Sequence, residues 1–179
     1  MVECRVMYYQ TDYESPFGTI ALVADGRHLI GAWRYGQKYF YRSLPEYPVY
    51  NNKLAVFKDT VQWFDRYFAG EKPQPAELPL APIGTAFRQA VWQRLCGIPF
   101  GSVTTYGALA QKIAAEQGRD RMSAQAIGGA VGHNPLFIII PCHRVIGANG
   151  NLTGYAGGLD VKIQLLEFEG VDTSRFFYV

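Results

Sequence analysis

Charge is scarce in this chain: Asp, Glu, Lys and Arg make up 18% of its 179 residues, and 17 basic against 15 acidic side chains leave a net charge of only +2. That balance gives no strong field for a polyanion and excludes a histone-like or ribosomal-tail protein. Cysteine is scarce too. Cys4, Cys96 and Cys142 are odd in number and stand 92 and 46 residues apart, which is neither a disulfide framework nor a metal-binding knuckle. Long apolar runs are missing. The strongest, residues 136–140, is far short of the roughly 20 residues of a membrane span, and the opening "MVECRVMYYQ" has no apolar secretion core. The expectation is a cytoplasmic protein with reduced thiols and no membrane partner. Apolar residues, by contrast, are 49% of the chain, enough for one sizeable core or two small ones.

Residues 1 to about 50 read as short strands, in which Tyr, Val, Ile and Leu alternate with polar residues, with hairpin turns at "SPFGT" (15–19) and "ADGRH" (24–28). From 52 to 68, Leu54, Val56, Phe57, Val61, Phe64, Tyr67 and Phe68 recur mostly three and four apart, predicting a helix that stops at Gly70. Segment 71–84 holds four prolines in fourteen residues without periodicity and marks a boundary between domains at 1–80 and 85–179. Nine basic and nine acidic residues precede position 85, and eight and six follow, so the positive excess lies wholly in the second half. The fold class expected is α/β (α+β). A small N-terminal antiparallel sheet with one helix precedes a mostly helical domain in which a short buried strand carries Cys142.

In the second half Thr85 caps a helix bearing Phe87, Val91, Trp92 and Leu95, ended by Gly97 and Pro99. Two further helices, at about 105–117 and 123–132, with Gly118 and Arg119 between them, fit a helix-turn-helix. The second of these is bare. Ala124, Ala126, Gly128, Gly129 and Ala130 leave only Ile127 and Val131 as anchors, and each glycine costs about 1 kcal/mol relative to alanine. Small residues permit close packing in an ordinary αα-hairpin, or close backbone approach to the minor groove of DNA. Of the residue types that read base edges in the major groove, only Gln125 stands near the helix start.

"NPLFIIIPCHRVIG" carries the chemistry: a rigid apolar run delivers Cys142 and His143 through Pro141 into a polar turn. The thiolate is the reactive form, and His143 and Arg144 are the local groups expected to lower the thiol pKa. Neighbouring strand side chains face opposite ways, so His143 would act through a water or after the chain turns. An inert buried thiol is the plainer reading of an isolated cysteine, and it is kept for Cys4, at the start of a strand, and Cys96. His28 and His133 read as turn or surface histidines. A zinc site would draw on these scattered residues, none in C-x-x-C or H-x-x-x-H spacing, so neither metal nor cofactor is expected. Downstream, Gly147, Gly150, Gly154, Gly157 and Gly158 form a loop in which Tyr155 is a candidate pocket wall or donor. A helix at about 159–168 carries Glu167 and Glu169, either of which could orient His143, a solvated carboxylate being the plainer reading of each.

"IPCHRVIG", "GNLTGYAGGLDVK" and "LLEFEG", preceded by "GSVTTYGALA" and "GGAVGHNP", resemble the O6-alkylguanine-DNA alkyltransferases (methylated-DNA-protein-cysteine methyltransferases) over about residues 85–171. The first half fits that family's variable α/β domain loosely. The resemblance implies DNA repair by direct reversal: one irreversible transfer of an alkyl group, such as methyl, from guanine O6 in double-stranded DNA to Cys142, with O4 of thymine an open second target. It further implies a monomer needing no cofactor, in which His143 relays the thiol proton through water and Glu169 holds His143. Asn134 would brace the turn, and Tyr106 would protonate or hydrogen-bond the base. Val145, Tyr155, Ala156, Gly157 and Gly158 would line the pocket, Ala156 standing where some members have serine. Thr105, Ser123, Ala124, Gln125, Ala126, Gly129 and Arg144 would meet DNA, the bare helix entering the minor groove beside a nucleotide flipped out of the stack. Gln125 departs from the arginine with which many members fill the gap, and Arg119 or Arg121 would compensate. Two other readings stand beside this one. A noncatalytic binder of alkyl lesions is disfavoured because such relatives replace the acceptor cysteine. A cysteine hydrolase using Cys142, His143 and Glu169 lacks any other acyl-transfer signature.

Overall fold

Strands β1 (Tyr9–Ser15), β2 (Gly18–Ala24) and β3 (Leu29–Arg34) follow one another through two tight turns and pair antiparallel. The first turn closes on Gly18, whose φ of 104° suits glycine and whose carbonyl accepts from Ser15 Oγ. In the second, Asp25 Oδ1 accepts from the backbone N–H groups of Arg27 and His28. A two-residue strand β4 (Val49–Tyr50) joins the far side of β1 in parallel, giving the order β3-β2-β1-β4. The sheet is therefore antiparallel in its three long strands and mixed at its β4 edge. The computed structural model describes residues 6–178, so Cys4 lies outside the described residues.

Helix α1 (Ala55–Phe68) starts three residues after the periodicity suggests, because Asn51 Oδ1 accepts from Lys53 N and holds the preceding residues in a turn. Its stripe of Val56, Phe57, Trp63, Phe64 and Tyr67 is buried, each of the larger side chains contributing roughly 1.5–3 kcal/mol. The proline-rich segment is pinned rather than free. Leu29 N donates to Pro79 O (2.8 Å) and Ala81 N to Leu29 O (2.9 Å). Further along the same strand, Ala32 N donates to Pro135 O and Phe137 N to Ala32 O, both 2.8 Å. The outer edge of β3 is thus used up, first by the linker and then by the segment leading to Cys142.

The second half comprises α2 (Ala86–Leu95), β5 (Thr104–Thr105), α3 (Tyr106–Glu116), α4 (Ala124–Gly132), β6 (Val145–Ile146), β7 (Asn151–Leu152), α5 (Leu159–Phe168) and β8 (Phe177–Tyr178). β5 pairs with β6 and β7 with β8, both in parallel. Thr85, Thr105 and Ser123 cap α2, α3 and α4 by accepting from Arg88 N, Ala108 N and Ala126 N. Trp92 Nε1 donates to Ala130 O (2.9 Å) and fixes α2 against α4. One buried cluster runs from Ile20 and Phe64 through Trp92 and Ile127 to Cys142 and Leu165, so both halves share a core. No helix of the described residues is long and apolar enough to cross a membrane.

The buried strand expected to carry Cys142 is absent. Residues 136–140 make a single bridge, Leu136 to Ala32, and then coil: Ile139 N donates to Phe137 O, Ile140 N to Leu136 O and Cys142 N to Ile140 O. Ile138 takes a φ of 66°, which no strand accommodates. A buried apolar run needs backbone partners but not a sheet, and here tight local hydrogen bonds supply them. Cys142 consequently opens a short 3-10 turn, Cys142–Arg144.

Candidate active site

Asn134, two residues past α4, organises the turn. Its Oδ1 accepts from Leu136 N (2.9 Å), and its Nδ2 lies 2.7 Å from Ile140 O, 3.3 Å from Leu136 O and 3.1 Å from Cys142 Sγ. Two amide hydrogens are shared among three acceptors, so the C-terminal end of α4 sets where the thiol stands.

Cys142 is buried, and burial pushes its thiol pKa up. The Asn134 hydrogen bond, the Lys162 charge and the Tyr155 hydroxyl pull the other way without overcoming it. The resting group is a thiol. This corrects the expectation that His143 and Arg144 lower that pKa: both side chains turn to Glu169 instead. His143 is fully buried, with Nε2 2.7 Å from Glu169 Oε1. Burial lowers its pKa despite the carboxylate, so the ring is neutral, its proton on Nε2 toward Glu169. Nδ1 is then a buried lone pair with no hydrogen-bond partner.

Glu169, at the C-terminal end of α5, accepts from four further groups. Arg144 Nε donates to Oε2 (2.8 Å) and Nη2 to Oε1 (2.9 Å), Tyr67 Oη to Oε1 (2.7 Å) and Gly101 N to Oε2 (3.2 Å). Burial would raise this carboxyl, but the donors from His143 and Arg144 hold it well below the usual carboxylate range. Arg144 donates from its third nitrogen, Nη1, to Ile98 O (2.6 Å) and packs over the Phe100 ring. It is 8% exposed, so the expectation that Arg144 meets DNA does not match its buried, carboxylate-bound position. Glu167, the alternative partner for His143, instead accepts from Thr173 Oγ1.

Lys162 and Tyr67 are the residues that sequence reasoning missed. Lys162 is fully buried, donates to Val145 O (2.7 Å) and stands 5.9 Å from the ring centroids of both Tyr106 and Tyr155. Burial lowers its pKa to about 8, while Cys142 acts in the opposite direction. A signal was present: Lys162 shares its helical face with Leu165, Leu166 and Glu169, and a charge within an apolar stripe needs a reason. Tyr67 gave none, since its ring fits the apolar stripe of α1.

The cavity beside Sγ has a volume of about 10 Å³ and is walled by Tyr106, Asn134, Phe137, Tyr155, Ala156 and Gly157, with Gln37 from the first half. That is room for about one water. A Cβ at Gly157 would lie 2.8 Å from Tyr155 Cε1, so glycine is required there. The buried Tyr155 hydroxyl has no well-formed hydrogen bond, and the polar group it faces is the Cys142 thiol. Val145 and Gly158 stand just outside the lining, Val145 holding Lys162 through its carbonyl and Gly158 opening α5.

Ser123, Ala124, Gln125, Ala126 and Gly129 form an exposed face on α4, Arg119 and Arg121 are exposed in the turn before it, and Thr105 is half-buried at the start of α3. A Cβ on Gly129 would meet open space, and one on Gly128 would touch Tyr106 at an ordinary 3.9 Å. Close helix packing therefore does not explain these glycines. His28 pairs with Asp25 (3.2 Å), His133 stacks on Tyr39, and Cys96 ends α2 half-buried. Among the described residues no three His, Cys, Asp or Glu side chains are grouped to hold a metal ion.

Residues 7–82 match the ribonuclease-like domain, and residues 86–171 the DNA binding domain, described for 6-O-methylguanine DNA methyltransferase. The methylated-DNA--protein-cysteine methyltransferase of Haemophilus influenzae is 40% identical over 163 residues, 91% of this chain and 87% of that one. Its counterpart in Methanosarcina acetivorans is 42% identical over 166 residues, 92% of this chain and 99% of that one. The crystal structure of Mycobacterium tuberculosis OGT in complex with DNA superposes with a TM-score of 0.76 at 38% identity, covering 96% of this chain and 95% of that one. The chain belongs to the 6-O-methylguanine DNA methyltransferase family.

Proposed function

We infer that the protein repairs alkylated DNA by moving an alkyl group from guanine O6 onto Cys142 in one irreversible step. The observation that carries this is the pairing of a buried thiol, held by Asn134, with a neutral histidine whose Nε2 is anchored on Glu169 and whose Nδ1 is unpartnered. In this mechanism the thiol gives its proton through one water to His143 Nδ1. The S–C bond forms as the C–O6 bond breaks, and a proton reaches the departing guanine with help from the Tyr106 hydroxyl. The product thioether has no group that leaves, so each molecule acts once. A thiol pKa raised by burial also keeps the acceptor unreactive until substrate arrives.

The cavity holds far less than a purine, so the extruded base enters only as the 154–158 loop shifts; extrusion itself costs a few kcal/mol, least for a damaged base. The bare exposed face of α4, with open space before Gly129, supports backbone approach to the minor groove. In the same proposal residues 1–80 support the domain at 85–179, and the chain acts as a monomer in the cytoplasm, where its thiol stays reduced. The test is DNA carrying a labelled methyl on guanine O6. Label is expected on the wild-type protein and absent from Cys142→Ser, which still binds the DNA. Label remaining on the DNA with folded, reduced wild type would overturn the proposal.

A further inference from the structure

Among the described residues of the first half, the one side chain that reaches the thiol cavity is Gln37, which follows β3 and is buried. Its position is fixed from both ends. Gln37 Oε1 accepts from Arg34 N (2.8 Å) and Gln37 N donates to Arg34 O (3.1 Å), a closed loop that fixes the side chain where it lines the cavity. The same segment grips the opposite wall: Lys38 N donates to Ala156 O (2.9 Å), and Arg34 Nη2 donates to Gly157 O (2.7 Å). Two residues on, Tyr39 stacks on His133, which ends α4, with ring centroids 4.2 Å apart. Residues 34–39 therefore span from the acceptor loop to the end of α4, with Gln37 between.

We propose that Gln37 is a specificity-determining residue of the alkyl pocket, setting how large an O6 substituent the protein accepts. The inference rests on the alkyl-transfer function given above. The carbon attacked must lie against Sγ, so whatever shares the cavity with Sγ bounds the alkyl group rather than the far edge of the base. Asn134, Phe137 and Tyr155 are held by the turn and the core. Gln37 is the long, unbranched wall, tied only to the first half, and shortening it opens space beside the thiol without touching Asn134, His143 or Glu169.

The experiment compares transfer rates from DNA carrying O6-methylguanine and O6-butylguanine for wild type, Gln37→Ala and the near-isosteric Gln37→Leu. Removing the wall is expected to raise the butyl-to-methyl rate ratio of Gln37→Ala about tenfold, the scale on which a pocket discriminates a methylene or two. Gln37→Leu, which keeps the volume, retains the wild-type ratio. A general loosening of the fold would lower both rates together and leave the ratio unmoved. An unchanged ratio in folded Gln37→Ala, with methyl transfer by wild type intact, overturns the assignment of Gln37 alone. Absence of methyl transfer by wild type overturns the function beneath it.

Discussion

Glu169 gathers donors from four residues, and its removal strands two of them, the Arg144 charge and the His143 ring, in the interior. Glu169→Ala is expected to cost about 3–5 kcal/mol in urea unfolding, the scale for breaking a buried pair. The pH dependence follows from the same groups. His143 has a folded pKa below its ordinary 6.5, so the native state binds fewer protons and stability falls as pH drops below that value. Glu169, also lowered, adds stability that is complete above the unfolded carboxylate range and is lost as pH falls toward its folded value. Acid unfolding should thus begin near pH 6.5 and steepen through the carboxylate range, and a midpoint insensitive to Glu169→Gln would count against this. Lys162→Met removes a charge that favours the thiolate, so thiolate absorbance should titrate at higher pH than in the wild type. Cys142 and His143 stood out in the sequence because the apolar run and Pro141 point to them, whereas Asn134, and Glu169 over Glu167, were named only through the family resemblance. Tyr67 was not legible, since its bond to Glu169 spans 102 positions and leaves no local trace.

At the level of elements, the proposed DNA-contacting role of α4 can be separated from its folding. Gly129 has open space for a side chain, so Gly129→Ala should stabilise the helix by up to about 1 kcal/mol while weakening DNA affinity, as measured by thermal unfolding and a binding titration. Gains in both would contradict the assignment of this face. Gln125, exposed in the first turn, is short and uncharged, and Gln125→Arg is expected to speed alkyl transfer from duplex DNA more than from single strands. The helices were readable because their caps and periodicity are local: Thr85 caps as expected, and Thr105 and Ser123, read as helix starts, prove to be the caps of α3 and α4. The segment before the thiol was misread for a physical reason. An unbroken apolar run states that it is buried but not whether its backbone bonds to a strand or to itself, and the bracing by Asn134 decides in favour of the turn.

Across the whole molecule, the linker between the two halves is hydrogen-bonded to β3, and the shared core includes its Leu78. Tyr67 on Glu169, Arg34 on Gly157 and the Ala32 bridge all carry first-half residues to the acceptor site. A fragment of residues 85–179 should therefore lack cooperative unfolding and near-ultraviolet dichroism, while a fragment that unfolds cooperatively and still transfers methyl would show the first half to be dispensable. The central claim is that one molecule is consumed per lesion through Cys142. Its most direct measurement is peptide mass spectrometry after titration with DNA carrying O6-methylguanine. One added methyl per protein, on the peptide holding Cys142 and never on that holding Cys96, is the predicted result; continued turnover with an unmodified Cys142 would contradict it.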